Sequence, residues 1–141
     1  MKIIFDSKTK SIVQFEKGDE PIALLTALAE ERDLSFFFSM IGGCTEVELA
    51  YYDIDTKAYA SKTHSARNIE VITITGNVAW VEGKAWVHAH GVFGNDNHEC
   101  FGGHINRLTI SATGETSIDW IPKRLEKRVD TVSGLKLFCE L

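Results

Sequence analysis

Along most of this chain apolar residues alternate with polar ones, the spacing of two that lets a strand bury one face. Residues 2–5 and 11–16 read as two short strands joined by a polar turn at 8–10. The rhythm changes over residues 22–34, where Ile22, Leu25, Leu28 and Ala29 recur at the spacing of a helix packed on a sheet. Pro21 suits the first helical position, which needs no N–H, and Asp19 or Glu20 suits the positive end of the helix. Residues 35–41 are a continuous apolar run, a buried strand that Gly42-Gly43 ends.

The second half repeats the strand pattern. Residues 45–53, 57–61, 69–75 and 78–81 read as strands, separated by a turn at 55–57, a polar loop at 62–68 and a break at Gly76-Asn77. Glu82-Gly83-Lys84 reads as a three-residue hairpin loop with Gly83 in a left-handed position. Residues 85–93 return as a strand, 94–103 form a glycine-rich polar loop, and 104–112 and 116–121 are strands around a turn at 113–115. After Pro122 the pattern predicts a short charged helix to about Arg128, and residues 135–139 read as a last strand. Many short strands with one main helix predict an α+β domain with a mostly antiparallel central sheet. No Gly-, Ser- or Pro-rich linker interrupts the 141 residues, so a single domain over residues 1–141 is expected.

Composition narrows the function classes. Hydrophobic residues make up 44% and charged residues 25%, as in an ordinary globular protein. The net charge of −5 disfavours nonspecific DNA binding, whose affinity comes from neutralising phosphates, although a local basic face is compatible with it. Cys44, Cys100 and Cys139 are scattered and form no CxxC pair, which suits a reducing cytoplasm. No apolar run is long enough to span a bilayer, and no signal peptide is visible, so a cytoplasmic protein without a membrane partner is expected.

Four of the five histidines fall between His88 and His104. On a strand, Trp86, His88 and His90 share one face, so two imidazoles converge on the same side. If the strand opening at His104 is a neighbour, a three-histidine site with an open fourth position results, with zinc the divalent metal best suited to it. Gly102-Gly103 would let the backbone approach closely there. Glu70 and Glu99 are candidates to orient the ring nitrogens, His98 lies in the intervening loop, and Cys100 is a soft ligand or thiol nucleophile. The competing readings are hydrogen-bonded structural histidines, an organic-ligand or general-base site, and an inert buried Cys100. Arg107, Lys123, Arg124, Lys127 and Arg128 are the candidate nucleic-acid contacts, against the alternative of a solvated helix face. Tyr51, Tyr52, Trp80 and Trp86 read either as a stacking platform or as core and subunit interface.

Three blocks in order, Ile69-Glu70-Val71-Ile72 leading to Thr75-Gly76-Asn77-Val78, then Trp86-Val87-His88-Ala89-His90-Gly91, then Gly102-Gly103-His104-Ile105, resemble the PPC (PD1-like, plants-and-prokaryotes-conserved) domain. Arg128-Val129-Asp130 and Ser133-Gly134-Leu135-Lys136-Leu137 match the way such domains finish. The resemblance covers nearly the whole chain and is to the stand-alone prokaryotic type. It implies a compact sheet with a flanking helix, assembled as a homotrimer and serving as a DNA-binding or regulatory interaction module. The alternative is a protein that binds a metal or small molecule, or a metal-dependent enzyme, built on His88, His90 and His104. Plant relatives carry a separate AT-hook, whose Arg-Gly-Arg-Pro core is missing here. Glu70 is retained, Asn68 stands where plant members prefer arginine, and Ser117 stands where many relatives have glutamate.

Overall fold

The computed structural model describes residues 1–140. Strands β1 (Lys2–Asp6) and β2 (Lys10–Glu16) form a hairpin, and helix α1 (Pro21–Arg32) comes next. Three long strands dominate the remaining chain: β3 (Ser35–Asp53), β4 (Ala58–Val81) and β6 (Cys100–Ile121), with β5 (Lys84–Gly94) between the last two. A small pair, β7 (Lys127–Val129) and β8 (Lys136–Phe138), ends the fold. The main sheet is antiparallel in the order β1-β2-β6-β3-β4-β5, and β5 pairs again with β6, closing the sheet on itself. This is the expected α+β architecture, a mostly antiparallel sheet with one main flanking helix.

One edge of β6 meets two different strands. Residues 100–104 pair with β5 and residues 113–119 pair with β2. The gap between them is filled by the entry to the helix: Gly18 N–H donates to the Ile110 carbonyl, and Ile110 N–H donates to that of Asp19. Glu20 joins both parts. Its carboxylate caps the helix by accepting from the Ile22 and Ala23 amides, and also accepts from the Leu108 amide at 3.2 Å. The helix then buries Leu25, Leu28 and Ala29 on the sheet, where Phe15, Phe36, Phe93, Ile110 and Ile118 complete the core. Asp33, left-handed at φ 59°, ends the helix.

The long strands correct several expectations. Gly42-Gly43, Gly76 and Gly102-Gly103 do not break strands but lie inside β3, β4 and β6. At Gly76 the reason is close approach: an added Cβ would stand 2.5 Å from the His88 carbonyl oxygen and 2.8 Å from the Phe38 ring. The pairing of β3 shifts register at Met40/Gly42 and Cys44/Glu46, the irregularities that let long strands bend and the sheet close. Residues 62–68, expected as a loop, belong to β4, where Ser61–Ser65 pair with Glu46–Ala50. They are polar because they form a solvated sheet edge, where charges block pairing with other chains. Likewise, Thr113–Glu115 continue β6 instead of turning.

The expected hairpin loop is tighter than three residues. Val81 pairs with Lys84, leaving only Glu82 and Gly83 with φ of 50° and 78°, a two-residue turn whose hand matches strand twist. The charged segment after Pro122 is not a helix. It runs extended beside Trp80, whose backbone N–H donates to the Leu125 carbonyl at 2.8 Å, and Lys127 enters the interior. No helix among the described residues is long and apolar enough to cross a membrane.

Candidate functional site

β5 presents His88 and His90 on one face, and the pairing of His90 with His104 sets the third imidazole directly opposite. One ring nitrogen from each histidine lies within 4.8 Å of the other two, and the Nε2 atoms of His88 and His90 are 3.2 Å apart. A tetrahedral ion with nitrogen ligands at about 2.0–2.1 Å holds its donors about 3.4 Å apart, so small ring rotations suffice to place one here. The three residues therefore form a cluster able to coordinate a divalent metal.

The surroundings keep the imidazoles in the form that ligation needs. His88 and His104 are half-buried. Burial, reinforced by Lys127, His104 and His90, pushes the His88 pKa down to about 4. Burial, with His90 and Lys136, lowers that of His104. Neutral rings have a free lone pair, so at neutral pH no proton must leave His88 before an ion binds.

The same shift has a consequence for the metal-free protein. Unfolded His88 titrates near 6.5 while folded His88 stays neutral down to about 4, so the unfolded chain gains a proton first as pH falls. Stability is therefore expected to drop on acidification through this window, by about 2 kcal/mol after allowing for partial exposure. Urea midpoints at neutral and mildly acidic pH measure it. A H88Q variant should lose the His88 share of the dependence and keep that of His104 and His64, whose pKa values burial also lowers, and an unchanged slope would show that His88 is not held neutral.

The histidines open into a cavity of about 650 Å³. Its walls come from distant parts of the chain: Ala50, Tyr51, Tyr52 and Tyr59 from the β3–β4 arm, Trp86 from β5, Asn106 from β6, and residues 134–137 from the C-terminal segment. Trp86 stacks on His88 with ring centroids 5.3 Å apart, and Tyr59 lies 5.6 Å from His104. The Tyr52 hydroxyl donates to the Ser133 carbonyl and so pins the last segment over the site. Tyr59 and Asn106 carried no expectation from the sequence, while Tyr52 was read only as a stacking or interface residue and Lys136 only as part of the closing family block, neither of them as a neighbour of the histidines. They reach the histidines only through the β3–β4 pairing and the final hairpin, which no local pattern encodes.

The remaining site candidates lie elsewhere. Glu70 pairs with Gly94, four residues beyond His90, and lines a separate hollow with Asn68, whose amide donates to it at 2.8 Å. Glu99 accepts from Asn95 within the loop, and His98 is exposed there at a left-handed φ of 63°. Cys100 is exposed at the far end of the β5–β6 pairing, opposite Gly94, so it is neither buried nor beside the histidines. The buried thiol is Cys44, whose pKa desolvation raises to about 12. Trp80 belongs to the core, whereas Trp86 faces the cavity.

Nor do the basic residues gather into a free patch. Arg107 is paired with Glu46 and Glu48, Arg124 with Asp33 while covering the Trp80 ring, and Lys127 is 3% exposed. Lys123 and Arg128 are left exposed without an ion pair among the described residues.

Residues 4–119 match the family model of the Plants and Prokaryotes Conserved (PCC) domain. The chain belongs to this family. The crystal structure of a protein from Ralstonia eutropha JMP134, provisionally named DNA-binding, is 29% identical, with TM-score 0.90 over 97% of this chain and 95% of that one. A metal-containing protein from Archaeoglobus fulgidus is 25% identical, with TM-score 0.84 over 99% of this chain and 100% of the other. The plant- and prokaryote-conserved protein of Pyrococcus horikoshii shares the fold at 22% identity and TM-score 0.83, over 94% and 92% of the two chains. No curated protein matches the chain.

Proposed function

We propose that this PCC-domain protein is a single-domain metal protein that holds a divalent ion, zinc by its donor set, on His88, His90 and His104. The observation that carries the reading is the convergence of three imidazole nitrogens at the floor of an open cavity. Three protein ligands leave a coordination position for water or a small molecule, as catalytic sites do and closed structural sites do not. An ion there would supply Lewis acidity, while the chain's own residues orient the imidazoles and enclose the bound molecule. The A. fulgidus relative, named as metal-containing and similar along its whole length, supports the same reading.

The test is metal content. Protein purified without chelators and dialysed against zinc should hold about one ion per chain, read by elemental analysis. Absence of any retained zinc, manganese, iron or nickel at neutral pH would sink the reading.

A second reading is self-association, the homotrimer that the family resemblance implies, and a separate observation favours association without fixing the number of copies. Ile12, Phe37, Ile41, Ile72 and Val92 on four strands are each at least 40% exposed. Ile12 and Ile41 border one hollow and Ile41 and Ile72 the next, so the apolar surface is continuous across the sheet and suits burial against further copies. DNA binding has less support, because three of its five candidate contacts are paired or buried.

A further inference from the structure

The charge around the cavity is opposite to that of the chain. Acids outnumber bases by twenty to fifteen in the sequence, yet among the described residues no carboxylate lines this cavity. Two ammonium groups stand beside it instead. The Lys136 Nζ lies 4.5 Å from the Trp86 ring centroid, and Lys136 lines the wall next to His104. The Lys127 Nζ lies 5.0 Å from the same ring and 4.3 Å from that of Phe138, its one hydrogen bond going to Asn77 Oδ1 at 2.9 Å. Neither lysine has an ion pair among the described residues. Burial, and to a lesser extent the neighbouring Lys136, push the Lys127 pKa down to about 8.

Resting on the metal reading, we infer that the cavity takes a small carboxylate, one oxygen at the open metal position and the anion facing the Lys136 ammonium. Three neutral imidazoles do nothing to offset a dication, and the two lysines add to it, so the bound molecule must bring the negative charge. Carboxylate is favoured over phosphate by the donors present. Among the described residues a single ammonium lines the wall, which matches one anionic group, whereas the second charge and further oxygens of a phosphate would find no second cation there. Tyr52, Tyr59 and Trp86 leave apolar ring surface for a short carbon skeleton, and the Asn106 side chain offers a polar contact.

Cobalt(II) replaces zinc as a visible reporter, and its stoichiometry is measured first. Malonate is then titrated against the cobalt absorption bands, with malonamide as the neutral isostere and inorganic phosphate as the competing anion. Saturable malonate binding is expected, with no response to malonamide. K136M should hold the same amount of cobalt but bind malonate about tenfold more weakly or worse, the effect of losing one charge-assisted contact. K8M, on an exposed turn, should match the parent. Equal responses to malonate and malonamide, or an unaltered K136M titration, would overturn the carboxylate assignment while leaving the metal centre standing. Tighter binding of phosphate would overturn it too. Failure to retain cobalt would overturn both readings, and the stoichiometry shows this before any anion is added.

Discussion

Replacing His88 and His90 together by alanine is expected to abolish metal retention while leaving the fold in place. Sharing an affinity of about 10 kcal/mol among three ligands gives each about 3 kcal/mol, so losing two weakens binding by about four orders of magnitude. Such a change takes a tight site below what survives dialysis. The cost to folding should stay near about 1 kcal/mol, because His90 is exposed and His88 only half-buried. Elemental analysis and thermal unfolding of the same preparation separate the two effects. His98→Ala is the matched control: it deletes an imidazole from the neighbouring loop and should retain the full complement of ion. A double variant that still carries metal would place the ion elsewhere.

The second large effect is expected at a residue that touches no ligand. Gly76 pairs with Ala89, the residue between His88 and His90, and it lies against the His88 carbonyl and the Phe38 ring. Neither neighbour can retreat, since one is backbone and the other belongs to a core residue 4% exposed. Gly76→Val should therefore push β5 outward, lowering stability by about 3 kcal/mol, the upper range for overpacking. The same displacement moves two of the three imidazoles relative to His104, so zinc affinity should fall at least about tenfold in the fraction that remains folded. Gly76→Ala should show both effects in weaker form. Isothermal titration with zinc beside urea denaturation checks the pair, and a Val variant with parental stability would mean that the strand contact is soft enough to yield.

The element types and the histidine face were legible because both arise from local periodicity. Alternation about Trp86, His88 and His90 sets their common direction wherever the strand goes, and Leu25, Leu28 and Ala29 mark the buried side of the helix. Glycine misled where it admits a neighbour rather than ending a strand: Gly102 faces the Gly91 backbone, and Gly42 that of Thr113. Segment 62–68 misled because polarity reports solvent, not backbone pairing. The charged run after Pro122 misled for the opposite reason, since its Lys127 is buried by contacts with Trp86 and Phe138 that sequence spacing does not reveal. Glu70 and Glu99 were plausible by type alone, and the register of β4, β5 and β6 decides against contact with the histidines. The family blocks held the histidines, Trp86 and the closing segment 134–137, but not the tyrosines of the β3–β4 arm or Asn106.

The dispersal of those walls also sets when the site comes into being. Tyr52, Tyr59, Trp86, His104 and Lys136 meet only through pairings between distant stretches of chain, and Tyr52 holds its segment by a bond to Ser133. Contacts of such long sequence separation must await loop closure, which makes them slow to form. In a chain still emerging from the ribosome all three histidines precede the last wall, which cannot settle until Leu137 is out. The finished pocket thus appears only after residue 137 has been made, later than the histidines that face into it.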